Sequence, residues 1–239
     1  MKNYALVTGS ADRIGKAVAI HLAKQGYNLV LHYNSSVEKA QKVKDEILSL
    51  PNSVEVELLQ INFLKDNDFD QIFTELKEKE ISIEILVNCA SDFIPSNFKD
   101  QGSALFDKEM TINFKNPYLL TKAFANVFGT GNIINFVDTK VAKNSTVHLD
   151  YILSKKLLKD FTGISAVELA PNIRVNGIAP GLILPPEGKD ESYLLNLAEN
   201  IPLKTIGNLE EILKAVQFIL DSKFFTGQIL YIDGGEHLV

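Results

Sequence analysis

Along the chain, short runs of Val, Ile, Leu and aromatic residues alternate with longer stretches in which apolar positions recur every three or four residues. The short runs predict buried strands and the longer period predicts amphipathic helices. Strands are predicted over 4–8, 28–33, 54–61, 84–88, 132–137, 173–178 and 228–232. Helices are predicted over 13–25, 37–50, 66–79, about 114–128, 151–169 and 209–220, with Gly26 ending the first. Strands separated by helices imply βαβ crossovers, and so an α/β fold: a doubly wound parallel sheet of about seven strands, covered on both faces. No repeat or linker divides the chain, so one domain over 1–239 is expected.

Residues 182–207 break the alternation. They contain Pro185-Pro186-Glu187-Gly188 and a short helical stretch over 191–200. Ligands of such sheets bind outside the carboxyl ends of strands, so an insertion there fits a substrate loop or lid. It also fits a surface excursion without a role.

Composition narrows the class. A chain of 239 residues that is 46% hydrophobic and 23% charged has the make-up of an ordinary soluble globule. A net charge of −6 argues against nonspecific binding to nucleic acid or anionic membrane. No apolar run approaches the roughly 20 residues that span a bilayer, and residues 2–9 carry no signal-peptide pattern. The single Cys89 and four dispersed histidines offer no metal cluster. A cytoplasmic, metal-free protein acting on a small molecule is expected.

The first predicted strand runs into Thr8-Gly9-Ser10-Ala11-Asp12-Arg13-Ile14-Gly15, where a helix begins. Glycines let the backbone turn tightly against a pyrophosphate, and the helix N-terminus offers it unpaired N–H groups. Arg13 stands where a glycine is expected; it fits a phosphate contact and also a solvated first-turn arginine. The second strand ends in His32-Tyr33-Asn34-Ser35-Ser36, with no acidic residue to hold the ribose hydroxyls of NAD. NADP(H) is therefore the expected cofactor, with Asn34, Ser35, Ser36 and Arg13 near the 2′-phosphate; each serine also fits a helix N-cap. Asn62, after the third strand, fits an adenine contact or a turn.

Tyr151 and Lys155 are four residues apart on one predicted helix, so they share a face. A tyrosine working as an acid near pH 7 needs its pKa lowered by roughly three units, or about 4 kcal/mol. A neighbouring ammonium acts in that direction. Asp138 lies at the end of the fifth predicted strand, thirteen residues before the tyrosine. Its carboxylate fits a proton relay or an acceptor for ring N–H groups, and it would oppose ionisation of the phenol. It also fits a turn or N-cap residue in Asp138-Thr139-Lys140.

The glycine turn, Val87-Asn88-Cys89-Ala90, Asn113, Tyr151-x-x-x-Lys155, the 174–181 segment Arg-Val-Asn-Gly-Ile-Ala-Pro-Gly, and Asp233-Gly234-Gly235 occur in this order. In this the chain resembles the short-chain dehydrogenase/reductase family over essentially its whole length. The resemblance implies a Rossmann-type domain, commonly dimeric or tetrameric, that passes hydride from a nicotinamide. It makes Tyr151 the acid, and gives Lys155 the tasks of lowering its pKa and binding the nicotinamide ribose. Asn113 would hold the water of a proton relay and Asn88 would support the cofactor, with Gly9, Ile14, Gly15, Ala90, Pro180 and Gly181 along it.

The departures narrow the branch. Most family members have serine at the place of Asp138 and glycine at that of Arg13. With Asn88-Cys89-Ala90-Ser91-Asp92-Phe93, these changes resemble the pteridine reductases, including bacterial dihydromonapterin reductases. That likeness puts Arg13, Ser91, Phe93, Asp138, Tyr151 and Leu182 at the substrate, with Phe93 stacking a pterin against the nicotinamide. Phe93 also fits a core aromatic after a strand. Cys89 reads as a small buried residue.

The expected function is NADPH-dependent reduction of a dihydropterin such as dihydromonapterin or dihydrobiopterin, with weak action on dihydrofolate. One alternative is a carbonyl reductase of 3-oxoacyl thioesters or small ketones, against which Asp138 counts. Another is a nucleotide-sensing protein without turnover, against which Asn113, Tyr151 and Lys155 count together.

Overall fold

The computed structural model describes residues 2–96, 98–99, 102–186 and 188–239. Seven parallel strands form one sheet in the order β3-β2-β1-β4-β5-β6-β7. They are β1 (Lys2–Val7), β2 (Asn28–Tyr33), β3 (Val56–Gln60), β4 (Ile81–Asn88), β5 (Gly131–Phe136), β6 (Ile173–Pro180) and β7 (Ile229–Ile232). Helices α1 (Arg13–Lys24), α2 (Val37–Leu48), α3 (Phe69–Glu78), α4 (Ser103–Met110), α5 (Asn116–Val127), α6 (Leu149–Glu168), α7 (Glu191–Ala198) and α8 (Leu209–Asp221) connect them.

The period of two along each strand divides the core. Ala5, Val7, Leu29 and Leu31 face one side, where they pack with Val18 and Leu22 of α1 and Ile212 and Val216 of α8. Tyr4, Leu6 and Val30 face the other, against Phe73 and Leu76 of α3 and Leu120 and Phe124 of α5. Full burial of each such leucine or phenylalanine contributes roughly 1.5–3 kcal/mol, so a one-residue register slip in β1 or β2 would cost several of these at once.

Strand order reverses between β1 and β4, and the carboxyl ends of the strands there open a crevice. Thr8 joins its two walls: its hydroxyl accepts from the backbone N–H of Cys89 at 2.9 Å and of Ala90 at 3.0 Å.

Two elements depart from the expected layout. Residues 103–127 form one continuous helical run, α4, a π-helical turn over Thr111–Lys115, and α5, in place of a helix beginning near 114. The early part escaped the periodicity because its fully buried position is a carboxylate, Glu109. Strand β4 begins at Ile81, three residues before the predicted start, because Glu80 makes the preceding turn in a left-handed conformation (φ 64°) that glycine or asparagine usually marks. The remaining ends lie within three residues of their predicted places.

Segment 182–207 carries α7 and packs back through buried Ile183, Leu194, Ala198 and Ile201. Gly207 N donates to Leu182 O at 2.9 Å and closes its base. Glu187, within its proline stretch, lies outside the described residues.

Candidate functional site

A cavity of about 1010 Å³ runs along the carboxyl ends of the strands, from Asn34 and Asn62 past Gly9, Arg13, Ile14 and Gly15 to Tyr151, Lys155 and Tyr193. Single-ligand sites span roughly 300–1,000 Å³, so this volume suits a dinucleotide with a small substrate beside it.

At the glycine turn the backbone is packed against itself. A Cβ on Gly15 would stand 2.3 Å from Gly9 O, and one on Gly9, at φ +67°, would stand 2.8 Å from Ala90 Cα. His32 supports the turn from below. Gly9 N donates to its Nδ1 at 3.1 Å, which leaves Nε2 to donate to Ile61 O at 3.1 Å, and Phe63 stacks on the ring at 4.4 Å. Burial lowers its pKa from 6.5 to about 4, so the ring is neutral at physiological pH. Sequence reading missed this role, for which the His32 and Gly9 spacing gives no signal.

Arg13 occupies its glycine-like place at φ 52°, and its guanidinium donates to Pro185 O at 2.9 Å and Leu184 O at 3.4 Å. It thus ties the glycine turn to segment 182–207. Asp12 caps α1 by accepting from Arg13 N at 2.8 Å and pairs with Lys39 at 2.6 Å, a cation beside the Asn34 turn that the sequence reading passed over. Asn34 lines the cavity, whereas Ser35 and Ser36 do not; Ser36 holds the N-cap place of α2 without a side-chain cap bond. Asn62 lines the cavity and is also a turn residue, its Oδ1 accepting from Leu64 N at 2.9 Å.

Asn88 is buried beneath the cavity. Its Nδ2 donates to Asn135 Oδ1 at 2.8 Å, and Asn135 Nδ2 donates to Thr162 Oγ1 at 2.9 Å, a polar line that anchors β4 and β5 to α6. Its Oδ1 has no hydrogen-bond partner among the described residues. Burial pushes the Cys89 thiol up to about 12, in keeping with an inert residue.

At the other end, the Tyr151 hydroxyl donates to Asp138 Oδ2 at 2.8 Å. Asp138 Oδ1 accepts from Lys140 N at 2.8 Å, so the carboxylate caps the turn over Thr139–Ala142 and engages the phenol together. Burial, then the Asp138 charge, hold the Tyr151 pKa well above 10; the Ser91 hydroxyl pulls the other way. Lys155 was expected beside the phenol to lower its pKa. Its ammonium instead donates to Phe136 O at 2.8 Å and stands 5.7 Å from the centre of the Tyr151 ring, and burial lowers its own pKa to about 8. In this geometry burial and Asp138 outweigh the ammonium.

Phe93 is 40% exposed and reaches into the cavity, not the core. It meets Tyr151 edge-on at 4.7 Å, and His148 stacks on it at 3.9 Å, leaving at most one ring face for a ligand. Leu182, Pro180, Gly181, Ala90 and Ser91 line the same cavity. Asn113 is fully buried in the π-helical turn, whose extra residue per turn is a recurrent mark of functional helices. Its Oδ1 accepts from Ser91 Oγ and from Asp92 N, both at 2.9 Å, and its Nδ2 donates to Glu109 Oε2.

Among the described residues no group of His, Cys, Asp and Glu could hold a metal ion, and no helix is long and apolar enough to cross a membrane.

A family model described as enoyl-(acyl carrier protein) reductase matches residues 9–237. Dihydromonapterin reductase of Klebsiella pneumoniae is 28% identical, over 98% of this chain and 96% of its own. The 3-oxoacyl-[acyl-carrier-protein] reductase FabG of Staphylococcus epidermidis is 30% identical over the whole of both chains. Among solved structures, FolM alternative dihydrofolate reductase 1 from Brucella suis, in complex with NADP, superposes with a TM-score of 0.91 at 30% identity, over 99% of this chain and 95% of its own. With the glycine turn, the buried asparagine and the Tyr151–Lys155 pair in one crevice, the chain belongs to the short-chain dehydrogenase/reductase family of oxidoreductases.

Proposed function

We propose that the protein is an NADPH-dependent reductase of a dihydropterin, of the dihydromonapterin or dihydrobiopterin kind, with weaker action on dihydrofolate. The observation that carries this reading is the 2.8 Å hydrogen bond from Tyr151 to Asp138. Reduction of a pterin C=N bond adds hydride to carbon and a proton to ring nitrogen, and NADPH leaves as NADP⁺. A carboxylate and a phenol side by side suit that demand, one accepting from ring N–H groups and the other delivering the proton. Phe93 offers a face for a flat heteroaromatic ring, and Leu182 and Ser91 stand beside it. The likeness to dihydromonapterin reductases and to the NADP complex of FolM supports the same substrate class and cofactor.

NADP(H) fits the residues present. The cradle of Gly9 and Gly15 leaves no room for a side chain, and no acidic residue lies in the turn Asn34-Ser35-Ser36. When bound, the cofactor supplies the hydride. Lys155 would hold the nicotinamide ribose, with Ile14, Ala90, Asn88, Pro180 and Gly181 along the cofactor's path. The Asn113 side-chain amide, committed to Ser91, Asp92 and Glu109, has no hydrogen bond left for the relay water expected of it.

The 30% identity with a 3-oxoacyl-[acyl-carrier-protein] reductase favours a second reading, reduction of a carbonyl to an alcohol. NADPH oxidation measured in parallel with a dihydropterin, dihydrofolate and an acetoacetyl thioester separates the two. Turnover of the thioester alone would sink the pterin assignment, and turnover of none would leave a nucleotide-sensing protein. A single domain with segment 182–207 as its substrate lid belongs to the same reading. So does self-association in the cytoplasm, for which Tyr118, Leu153, Leu157 and Ile164 offer exposed apolar faces on α5 and α6.

A further inference from the structure

Glu109 is the one fully buried carboxylate among the described residues, and the chemistry above does not use it. It sits in the last turn of α4, four residues before Asn113, and both of its oxygens are engaged. Oε1 accepts from Ile94 N at 3.0 Å and Oε2 accepts from Asn113 Nδ2. Asn113 Nδ2 also donates to Asp92 O at 3.1 Å, so the amide nitrogen is committed on one side. The amide oxygen then faces Ser91 Oγ and Asp92 N, each at 2.9 Å, and is the nearer acceptor for the Ser91 hydroxyl, Asp92 O standing at 3.3 Å. With its proton on Asn113, Ser91 cannot donate it to the neighbouring Tyr151 phenol, whose own proton is on Asp138. Turned toward the phenol, the Ser91 hydroxyl favours the phenolate and lowers the pKa of Tyr151.

We propose that Glu109 is a positioning residue of the reductase site, the buried end of a hydrogen-bonded line through Asn113 to Ser91 that sets which way the Ser91 hydroxyl faces Tyr151. A core carboxylate without such a task would be a costly choice where leucine fits. The charge also acts at a distance, raising the pKa of both Tyr151 and Lys155 on α6. The other charges around it are Asp92 and Lys108, which pair with each other. Burial brings Glu109 itself to about 7, so its charge state changes within the working range of a reductase.

The isosteric change Glu109→Gln separates this from a packing role, because size and shape are kept. Its amide can satisfy Ile94 N only by turning an NH₂ group toward the NH₂ of Asn113, and a flip of Asn113 would set that group against Asp92 N. No arrangement satisfies all the donors. The inference rests on the proposed reductase activity, so rates are taken with whichever substrate, dihydropterin or acetoacetyl thioester, the wild type turns over; a dead wild type overturns both. The expected result for Glu109→Gln is a kcat lower by about tenfold or more with the KM for NADPH within about twofold, and an alkaline limb of the kcat–pH profile moved to lower pH. Ser91→Ala, at the exposed end of the line, is expected to fold and to lose kcat similarly. The double variant is expected to be no worse than the poorer single. Unchanged kcat in either single variant, or losses that multiply in the double, would overturn the line while leaving the reductase function standing. If Glu109→Gln does not fold, Ser91→Ala decides alone, through its kcat.

Discussion

The Tyr151 phenol spends its proton on Asp138, 2.8 Å away, and not on solvent or on the Lys155 side of the ring. A tyrosine held this way is protonated throughout the neutral range, since burial and the Asp138 charge both raise its pKa. The carboxylate therefore sets the resting state of the acid as well as the turn over Thr139–Ala142 that it caps.

Asp138→Ser tests that division of labour. On the proposed pterin reading, loss of the carboxylate removes the acceptor for ring N–H groups, and with it one partner in the proton delivery. The kcat for dihydropterin is expected to fall about 10²–10⁴-fold, the usual worth of a proton-transfer group. NADPH affinity, followed by cofactor fluorescence, is expected to stay put. Unchanged pterin kinetics would reduce Asp138 to the cap of its turn.

Lys155 carries a pH signature with a definite sign. Its pKa falls from 10.5 to about 8 on burial, so between those values the unfolded chain binds the extra proton. Stability linked to this group rises as pH climbs through that window, and its burial as a cation is unfavourable below pH 8. Lys155→Met should therefore raise the melting temperature at pH 7 while abolishing turnover. A variant that melts lower at pH 7 would show the ammonium to be net stabilising.

His32 gives a window of the same sign at lower pH. Its pKa drops from 6.5 to about 4, so stability from this group is complete above pH 6.5 and is lost as pH falls toward 4. His32→Gln is expected to melt less steeply with acidification over that range than the wild type. Because Gly9 N leans on His32 Nδ1, NADPH affinity should fall with the same substitution. Parallel melting curves at pH 4.5 and 7 check both.

Most of the sheet was legible in the sequence, because parallel strands buried on both faces are near-continuous apolar runs and β1, β2 and β4 through β7 read that way. Tyr151, Lys155, Asp138 and the glycine turn were legible too, since each is fixed by a spacing along one element. What escaped was set by contacts between elements. His32 lies 23 residues from the Gly9 amide it accepts from, and Arg13 lies 172 from the Pro185 carbonyl it holds. Glu109 hid the start of its own helix, because a carboxylate at a core position breaks the pattern that reveals cores.

Gly15→Ala probes the cradle directly. The added methyl would meet Gly9 O at 2.3 Å, a backbone atom that cannot swing aside. The glycine turn must shift to accept it, and overpacking of this kind costs typically about 1–3 kcal/mol. The expected outcome is a folded protein with a lower melting temperature and NADPH binding weakened by at least about tenfold, read by titration calorimetry. Retained affinity would mean that the cofactor's phosphates do not depend on this turn.

Arg13→Gly offers the reverse substitution. At φ 52° an arginine pays for a left-handed backbone, roughly 1–2 kcal/mol, whereas glycine adopts it freely but gives up about 0.5–1 kcal/mol in chain entropy. The two effects nearly cancel, so the melting temperature is expected to hold or rise slightly. The loss lies elsewhere. Without the guanidinium on Leu184 O and Pro185 O, segment 182–207 is tied to the glycine turn by fewer contacts, and the KM for pterin should rise about tenfold. Faster tryptic cleavage at Lys189, which lies in that segment and is exposed, would accompany it. Arg13→Lys should rescue only in part, because a single ammonium cannot reproduce the guanidinium's reach to two successive carbonyls. A glycine variant with unchanged KM and unchanged cleavage would make Arg13 a solvated first-turn residue, and the strain at its backbone would be left without a purpose.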